Sequence, residues 1–173
     1  MRIETEPKLD FKDVLIRPKR STLSSRADVN VERTFPFLHA KGQWTGFPLI
    51  AANMDVVGTM AMARTLASQG AMVALHKHYS VEELAAFFAS DETVGDDKRR
   101  VADHAFYSLG TTDADHDKLV AVDRQVRITK ICLDVANGYT EKFVDTVKLT
   151  RERHPDAVIM AGNVVTGDMT EAL

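Results

Sequence analysis

The feature that most constrains the fold of this chain is a pattern that occurs five times along it. Each time, a short and largely apolar run is followed by polar or glycine residues, and then by a segment in which apolar residues recur at helical spacing. Short apolar strands that alternate with amphipathic helices are typical of a parallel sheet covered by helices. The runs lie at residues 49–52, 71–75, 105–109, 131–133 and 157–161.

The segments that follow these runs carry recognisable helix signals. Ser80 and Glu83 form the S-x-x-E pattern of a capping box at the start of the second helix. Asp113 is predicted to cap the third helix, and Pro155 is predicted to close the fourth. Asp168 lies at the start of a fifth helical segment, so we expect five β/α units.

Two architectures fit this pattern, an open doubly wound sheet and a (β/α)₈ barrel. The glycine-rich G-x-G-x-x-G loop of a dinucleotide-binding doubly wound sheet is absent after every run. Polar residues at the carboxyl ends of the strands suit both folds, since both bind ligands there. The pattern therefore favours the barrel without excluding the open sheet.

The length of the chain suits only part of such a barrel. A closed barrel takes about 250 residues, and the 173 residues here correspond to roughly its first five β/α units. We expect residues 1–48 to form an irregular amino-terminal arm and lead-in. Residues 49–173 are expected to form the amino-terminal portion of a (β/α)₈ TIM barrel, truncated at Leu173.

Charge and composition argue against several classes of function. Acidic and basic residues are interspersed and the net charge is −3, so binding to nucleic acid is not expected. No apolar run approaches the roughly 20 residues of a membrane span, and the charged amino terminus is unlike a signal peptide. The single cysteine suits a reducing compartment. We expect a cytoplasmic protein without a membrane partner.

The polar residues after the first run are the first candidates for a site. Asn53 offers donor and acceptor groups to a ligand, and Met54 offers a polarizable surface for a flat base. The alternative is that Asp55 caps the next helix and that Met54 belongs to the core. The spacing of these residues supports both interpretations equally.

The second run ends in His76-Lys77-His78, the sharpest local signal in the chain. Titratable nitrogens at the end of a buried strand are unfavourable without partners. Lys77 is suited to hold an anion, or to share a proton with a carboxylate in an acid–base relay. The alternative is a solvated basic loop. A zinc site is not expected, because neither an H-E-x-x-H pattern nor a nearby cysteine accompanies the histidines.

Two later runs also end in side chains that suit a ligand. Asp134 is placed to orient an amide or ammonium group or to pair with Lys77, and Asn163 follows the fifth run in the same way. The alternative for both is hydrogen bonding within their own loops. Cys132 lies two residues before Asp134 and is expected to be buried with a raised pKa, so we reject it as a nucleophile.

Five stretches of the sequence, in their order and spacing, resemble GMP reductases of the IMP dehydrogenase/GMP reductase family. They are LDFKDVLIRPKRSTLSSR, AANMDVVGT, HKHYS, ICLDVANGY and AGNVVTG. The forms HKHYS and AANMD favour the reductases over the dehydrogenases. The run from His78 to the third strand is also too short for the tandem regulatory insert that is typical of the dehydrogenases.

The resemblance implies a (β/α)₈ barrel, a homotetramer, and the conversion of GMP to IMP and ammonia with NADPH. It also implies a cysteine that attacks the purine, in a G-x-G-x-G-S-x-C-T-T-R loop ordered by K⁺. No such stretch occurs in residues 1–173, so we expect the nucleophile and the cation only in the missing half of the barrel. We therefore do not expect this chain to turn over GMP alone.

The resemblance also assigns roles to residues of the chain. Lys77 and Asp134 match a pair that assists deamination and contacts the nicotinamide region of NADPH. Val135 and Ala136 match residues that line the same cofactor site. No metal ligands are implied within residues 1–173.

Further matches are less direct. Ser25 and Arg26 match residues that hold NADPH across a subunit boundary, and Asn53, Met54 and Asn163 match positions near the nucleotide or the cofactor.

Two other interpretations of the function stay open. One is a non-catalytic half-barrel that binds a nucleotide or serves in assembly. The other is an IMP dehydrogenase-like oxidoreductase, which oxidises IMP instead of reducing GMP.

Overall fold

A computed structural model describes residues 3, 5–7 and 9–173. By its internal contacts the chain forms two units, Met1–Asn30 and Val31–Leu173. The larger unit carries every α-helix and β-strand of the described residues. The division expected at residue 48 stays a prediction.

The smaller unit is largely extended chain. Two short 3₁₀ helices interrupt it, Phe11–Asp13 and Arg26–Asp28. The carboxylate of Asp10 caps the first of these helices, and the hydroxyl of Ser25 caps the second. Every described residue of this unit is exposed, and the expected amino-terminal arm over residues 1–48 stays a prediction.

Nine strands and five α-helices make up the described part of the larger unit. The strands are β1 (Arg33–Pro36), β2 (Gln43–Gly46), β3 (Ile50–Ala51), β4 (Met72–Ala74), β5 (Thr93–Val94), β6 (Arg99–Arg100), β7 (Ala105–Leu109), β8 (Lys130–Leu133) and β9 (Val158–Ala161). The helices are α1 (Met60–Ser68), α2 (Val81–Ala89), α3 (Asp113–Asp123), α4 (Glu141–Arg153) and α5 (Gly167–Ala172).

Strand order distinguishes the two architectures that the sequence left open. In a doubly wound sheet the order of the strands reverses at a switch point. Here the parallel sheet has the order β3-β4-β7-β8-β9, so each strand lies beside its predecessor and no reversal occurs. Such an order is that of successive units of a barrel. The fold is α/β, and the five strands form a curled half of a (β/α)₈ barrel, as predicted.

The two faces of the sheet bury different side chains, because successive residues of a strand point to opposite sides. One face packs against the helices and holds the main hydrophobic core. The other face holds a smaller buried cluster, whose members are Met72, Ala74, Phe106 and Cys132. These are the inward-facing positions of barrel strands. Cys132 therefore points into the barrel and away from the helices.

The helix termini confirm one sequence signal and correct another. The hydroxyl of Ser80 accepts the N–H of Glu83 at 3.1 Å, and the carboxylate of Glu83 accepts the N–H of Ser80 at 2.7 Å, so the predicted capping box is present. The prediction that Asp113 caps α3 is wrong. Thr112 caps this helix, because its hydroxyl accepts the N–H of Asp115 and the carboxylate of Asp115 accepts the N–H of Thr112. Asp113 is therefore the first helical residue.

Two short hairpins are not predicted by the sequence. β1 and β2 pair antiparallel within the lead-in that was expected to be irregular, and β5 and β6 pair within the polar stretch at residues 91–103. Their strands have two to four residues, and Gly46 is the one buried residue among them. They lack the apolar alternation by which a strand is recognised in a sequence.

Candidate active site

Four of the five parallel strands are followed by a polar side chain that the sequence proposes for a site. Asn53 follows β3, Lys77 follows β4, Asp134 follows β8 and Asn163 follows β9. Because the strands are parallel, their carboxyl ends meet at one edge of the sheet. The structure therefore places these residues along the same edge, with β7 between Lys77 and Asp134.

The loop after β4 is held by an aromatic contact and a polar contact between two side chains. The ring of His76 stacks on the ring of Tyr79, with centroids 4.1 Å apart. Nε2 of His78 lies 3.2 Å from a carboxylate oxygen of Asp55. Lys77, between the two histidines, is exposed and makes no side-chain hydrogen bond or ion pair with any residue that the structure describes. Its ammonium group is free to meet a ligand.

Asp134 is likewise exposed, and its carboxylate has no hydrogen bond or ion pair within the described part of the chain. The alternative role of bonding to its own loop is therefore not observed there. Its backbone N–H donates to the carbonyl of Leu109 at 2.9 Å. No ion pair joins Asp134 to Lys77, both of which are described. Their strands are two apart in the sheet, about 10 Å between backbones, which leaves room for a ligand.

Asn163 joins two loops at this edge. Its Nδ2 donates to the carbonyl oxygens of Val135 and Ala136, at 3.0 and 2.9 Å. Its φ is 61°, a backbone conformation that Asn adopts more readily than most residues. The side chain ties the loop after β8 to the loop after β9, and its Oδ1 makes no hydrogen bond with the residues that the structure describes. Contact with a nucleotide stays a prediction.

Tyr139 makes a second bridge between these loops, which sequence reasoning missed. Its hydroxyl accepts the N–H of Val165 at 2.7 Å and donates to Oγ1 of Thr166 at 3.1 Å. Tyr139 lies in the motif stretch ICLDVANGY, and its partners Val165 and Thr166 lie in AGNVVTG. That location was the available signal, but a linear motif does not state which two loops face each other.

A cavity of about 290 Å³ opens between the carboxyl ends of β8 and β9. Its lining includes Asp134, Val135, Gly162 and Asn163. Three of these four residues are among those that the sequence assigns to the cofactor or the nucleotide. A larger cavity of about 530 Å³ lies at α4, β9 and α5, and none of the candidate site residues lines it. The smaller cavity is therefore the candidate site.

Cys132 also lines this cavity, but its thiol is not activated. The residue is only 8% exposed, and burial raises the pKa of the thiol to about 11. At neutral pH the thiol is therefore protonated and is a poor nucleophile. The expected burial and the expected direction of the pKa shift are both confirmed.

The residues after β3 do not have the structural roles that were the alternative to a site, namely Asp55 as a helix cap and Met54 as part of the core. Met54 is 61% exposed, so it does not belong to the core. Asp55 does not cap α1, because the hydroxyl of Thr59 has that role, and Asp55 pairs with His78 instead. Asn53 is half-buried. The roles of Asn53 and Met54 towards a nucleotide stay predictions.

Ser25 and Arg26 lie in the smaller unit and are exposed. The hydroxyl of Ser25 accepts the N–H of Ala27 at 3.2 Å, and a carboxylate oxygen of Asp28 accepts the N–H of Ser25 at 2.9 Å. These hydrogen bonds give the Ser25 side chain a local role as a helix cap. Contact of either residue with NADPH, within or across subunits, stays a prediction.

Comparison with known proteins identifies the family to which the chain belongs. The model of the IMP dehydrogenase / GMP reductase domain matches residues 8–173. The chain belongs to this family. Over its whole length it is 53% identical to a GMP reductase of Enterobacter sp. (strain 638) and 52% identical to one of Shigella boydii serotype 4 (strain Sb227). It covers 48% of each of these relatives.

A solved structure of the same family supports the fold. The crystal structure of inosine 5′-monophosphate dehydrogenase from Legionella pneumophila superposes with a TM-score of 0.71 at 29% identity. The match covers 94% of this chain and 46% of that one. The chain thus spans about half the length of the curated relatives it matches. The predicted resemblance to the family is confirmed.

Within residues 3, 5–7 and 9–173, no group of three or more His, Cys, Asp or Glu side chains is arranged to hold a metal ion. The expectation that residues 1–173 bind no metal stays a prediction. Among the described helices, none has the length and apolar character needed to cross a bilayer.

Proposed function

We propose that this chain forms part of an NADPH-dependent oxidoreductase that converts GMP to IMP and ammonia. The observation that carries the proposal is the pair of exposed side chains, Lys77 and Asp134, both without partners among the described residues at the carboxyl edge of a barrel sheet. Catalytic residues of barrel enzymes come from this edge. The proposal is supported by the relatives named GMP reductase, at 52–53% identity.

Lys77 and Asp134 are proposed to manage protons and to orient the leaving group. The reaction takes up a hydride and two protons for each ammonium ion released, so the amino group of the purine needs a proton donor as it leaves. We propose that Nζ of Lys77 donates that proton. The carboxylate of Asp134 accepts a hydrogen bond from the same amino group. The separation of their strands supports this proposal, because it leaves room for a ring between the two side chains.

The cavity between β8 and β9 suits a nicotinamide group. The carboxylate of Asp134 accepts the N–H of a carboxamide, and Val135 offers a half-buried apolar wall. A Cβ at Gly162 would meet no atom within 4 Å, so this side of the cavity is open to a flat ring. Bound NADPH supplies the hydride. The nicotinamide group of NADPH would be held by Asp134, Val135 and Ala136. Asn163 fixes the loop that carries these three residues.

Several finer features of the proposal rest on the family resemblance. We propose that the protein is a cytoplasmic homotetramer, with Ser25 and Arg26 at the NADPH of a neighbouring subunit. The nucleophilic thiol and the K⁺ site belong to a loop that residues 1–173 do not contain. Cys132 does not replace that thiol, because it is buried and its raised pKa keeps it protonated.

The test is the oxidation of NADPH by the purified protein in the presence of GMP, after its intact mass has been measured. A protein of about twice the 19.2 kDa of this chain is expected to release IMP and ammonia in equal amounts. A 19.2 kDa protein is expected to be inactive, since its one thiol is Cys132. Full-length protein that binds GMP but never oxidises NADPH would contradict the proposal and favour a binding or assembly role.

Oxidation of IMP is the second candidate function, because the solved relative is a dehydrogenase. The same preparation should be assayed with IMP and NAD⁺. The connection from α2 to β7 favours the reductase, since residues 90–104 hold only a small hairpin and a 3₁₀ turn and no inserted domain. Faster reduction of NAD⁺ by IMP than oxidation of NADPH by GMP would favour the dehydrogenase.

A further inference from the structure

Lys118, on α3, bonds to the backbone of the loop that carries Lys77. Its Nζ donates to the carbonyl oxygen of Lys77 at 2.7 Å and also to the carbonyl oxygen of Tyr79. A charged donor makes stronger hydrogen bonds than a neutral one. By spanning two carbonyls of one loop, Lys118 fixes the path of residues 77–79.

The same loop is held from the side of α1. The N–H of His76 donates to the carbonyl oxygen of Gly58 at 2.8 Å, and the hydroxyl of Tyr79 accepts the N–H of Met60 at 3.1 Å. The stacked rings of His76 and Tyr79 connect these two contacts. Lys118 completes the support from the side of α3.

Asp115 adds a fixed charge beside Lys77. It lies three residues before Lys118 and therefore on the same face of α3. Its carboxylate accepts the N–H and the hydroxyl of Thr112, at 3.3 and 2.6 Å. Although burial raises the pKa of Asp115, the hydrogen bonds from Thr112 and the positive charge of Lys77 hold it below its ordinary value. The ammonium of Lys77 thus lies within the field of an anchored carboxylate.

We propose that Lys118 is a positioning residue, which places the ammonium of Lys77 towards the space in front of Asp134. This inference rests on the proposed function, because it gives Lys118 a part in the same proton transfer. Both hydrogen bonds of its Nζ go to backbone carbonyls. Lys118 therefore acts through Lys77 and does not touch the substrate.

The test compares Lys118→Met, Lys118→Arg and Lys142→Met in the full-length protein. Methionine keeps an unbranched side chain but cannot donate a hydrogen bond, whereas arginine restores a charged donor. Lys142→Met, at an exposed position on α4, controls for the loss of one positive charge. We expect K118M to lower kcat for GMP about 10- to 100-fold with KM within about twofold. We expect K118R and K142M to keep kcat within about twofold. Equal losses in K118M and K118R, or none in K118M, would overturn the proposal.

A double-variant cycle separates positioning from general destabilisation. Lys77→Arg already alters the position of the charge at residue 77. Adding K118M to this variant is therefore expected to lower kcat by less than about twofold relative to Lys77→Arg alone. The reason is that two residues acting as one unit are not additive. A loss as large as in the wild-type background would show that Lys118 acts independently of Lys77, and the proposal would then be wrong.

Hydrogen–deuterium exchange of residues 76–80 gives a readout that does not depend on turnover. Exchange is expected to be faster in K118M and unchanged in K118R and K142M. Wild-type protein without GMP turnover would refute the proposed function, while exchange still tests the hydrogen bonds of Lys118. Unchanged exchange and kcat in K118M of an active protein would overturn this inference alone. Lys118→Gln, which shortens the reach to the carbonyls, replaces K118M if the methionine variant does not fold.

Discussion

The hydroxyl of Tyr139 accepts the backbone N–H of Val165 at 2.7 Å, between residues that are 26 positions apart in the chain. Tyr139 belongs to the loop after β8, which begins with Asp134, and Val165 belongs to the loop after β9, which carries Asn163. Both loops border the 290 Å³ cavity. The hydrogen bond therefore couples the two walls of the candidate site.

Removing that hydroxyl should loosen the loop after β9. Tyr139→Phe keeps the ring and deletes the acceptor, so the amide of Val165 is expected to exchange about fivefold faster with deuterium. Exchange of residues 162–166 is the measurement, and residues 76–80 are an internal control that should not change. Unaltered exchange at Val165 would show that the hydrogen bond does not restrain the loop.

Lys77→Ala and Asp134→Ala should each reduce turnover of GMP in the full-length protein by about 100-fold or more, the range in which a positioned proton donor contributes. Binding of GMP should be largely retained, because neither side chain is proposed to hold the phosphate. Lys142→Ala, which removes a similar charge from the exposed part of α4, is the matched control. Normal kcat in both site variants would remove Lys77 and Asp134 from the mechanism.

Cys132 should be dispensable for chemistry and slow to react with thiol reagents. Burial raises its pKa to about 11, so its thiolate fraction near pH 8 is lower than that of a free cysteine by about 100-fold. Alkylation of the peptide that carries Cys132, followed by mass spectrometry, measures this rate. Cys132→Ala in the full-length protein should keep kcat within about twofold, and a folded but inactive variant would contradict the assignment.

Three buried histidines make stability depend on pH. Burial is the main cause that lowers the pKa of His104, His116 and His154 below the ordinary value of 6.5. Below pH 6.5 the unfolded chain therefore binds more protons at these positions than the folded protein does. Their contribution to stability is complete above about pH 6.5 and is lost as the pH falls.

The free energy of unfolding should accordingly decrease as the pH falls below about 6.5, by up to about 1.4 kcal/mol per pH unit for each histidine. Urea unfolding at several pH values measures it. His154→Gln, which removes one of these buried rings, should reduce the slope. Stability that rises on acidification over this range would contradict the buried state of these rings.

Gly58 lies where a side chain has no space. A Cβ there would stand 2.4 Å from the carbonyl oxygen of Ala74, 2.8 Å from Cα of Asn53 and 2.9 Å from the backbone nitrogen of His76. Because all three are backbone atoms next to the site, Gly58→Ala should destabilise the protein by about 1–3 kcal/mol. Gly167→Ala, which meets no atom within 4 Å, is the control and should not lower the melting temperature.

Elements with strong local signals were predictable. β7 spans the predicted residues 105–109, and the capping box of Ser80 and Glu83 is present. Local signals failed where two neighbours offered the same chemistry, as at the start of α3, where Thr112 and not Asp113 is the cap. They also failed at the hairpins, whose strands are held by backbone pairing and little apolar burial.

The alternation of strands and helices, the polar ends of the strands and the family can be read from the residues alone, because each is recorded in a contiguous stretch of the chain. The packing of the elements was needed to show that the strands lie in barrel order and that Asn163 and Lys118 hold other loops in place. It also showed that the carboxylate of Asp134 makes no hydrogen bond with its own loop. The hydrogen bond from Lys118 to Lys77 joins residues 41 positions apart. Such contacts follow from the packing of whole elements against one another, and no local periodicity specifies them.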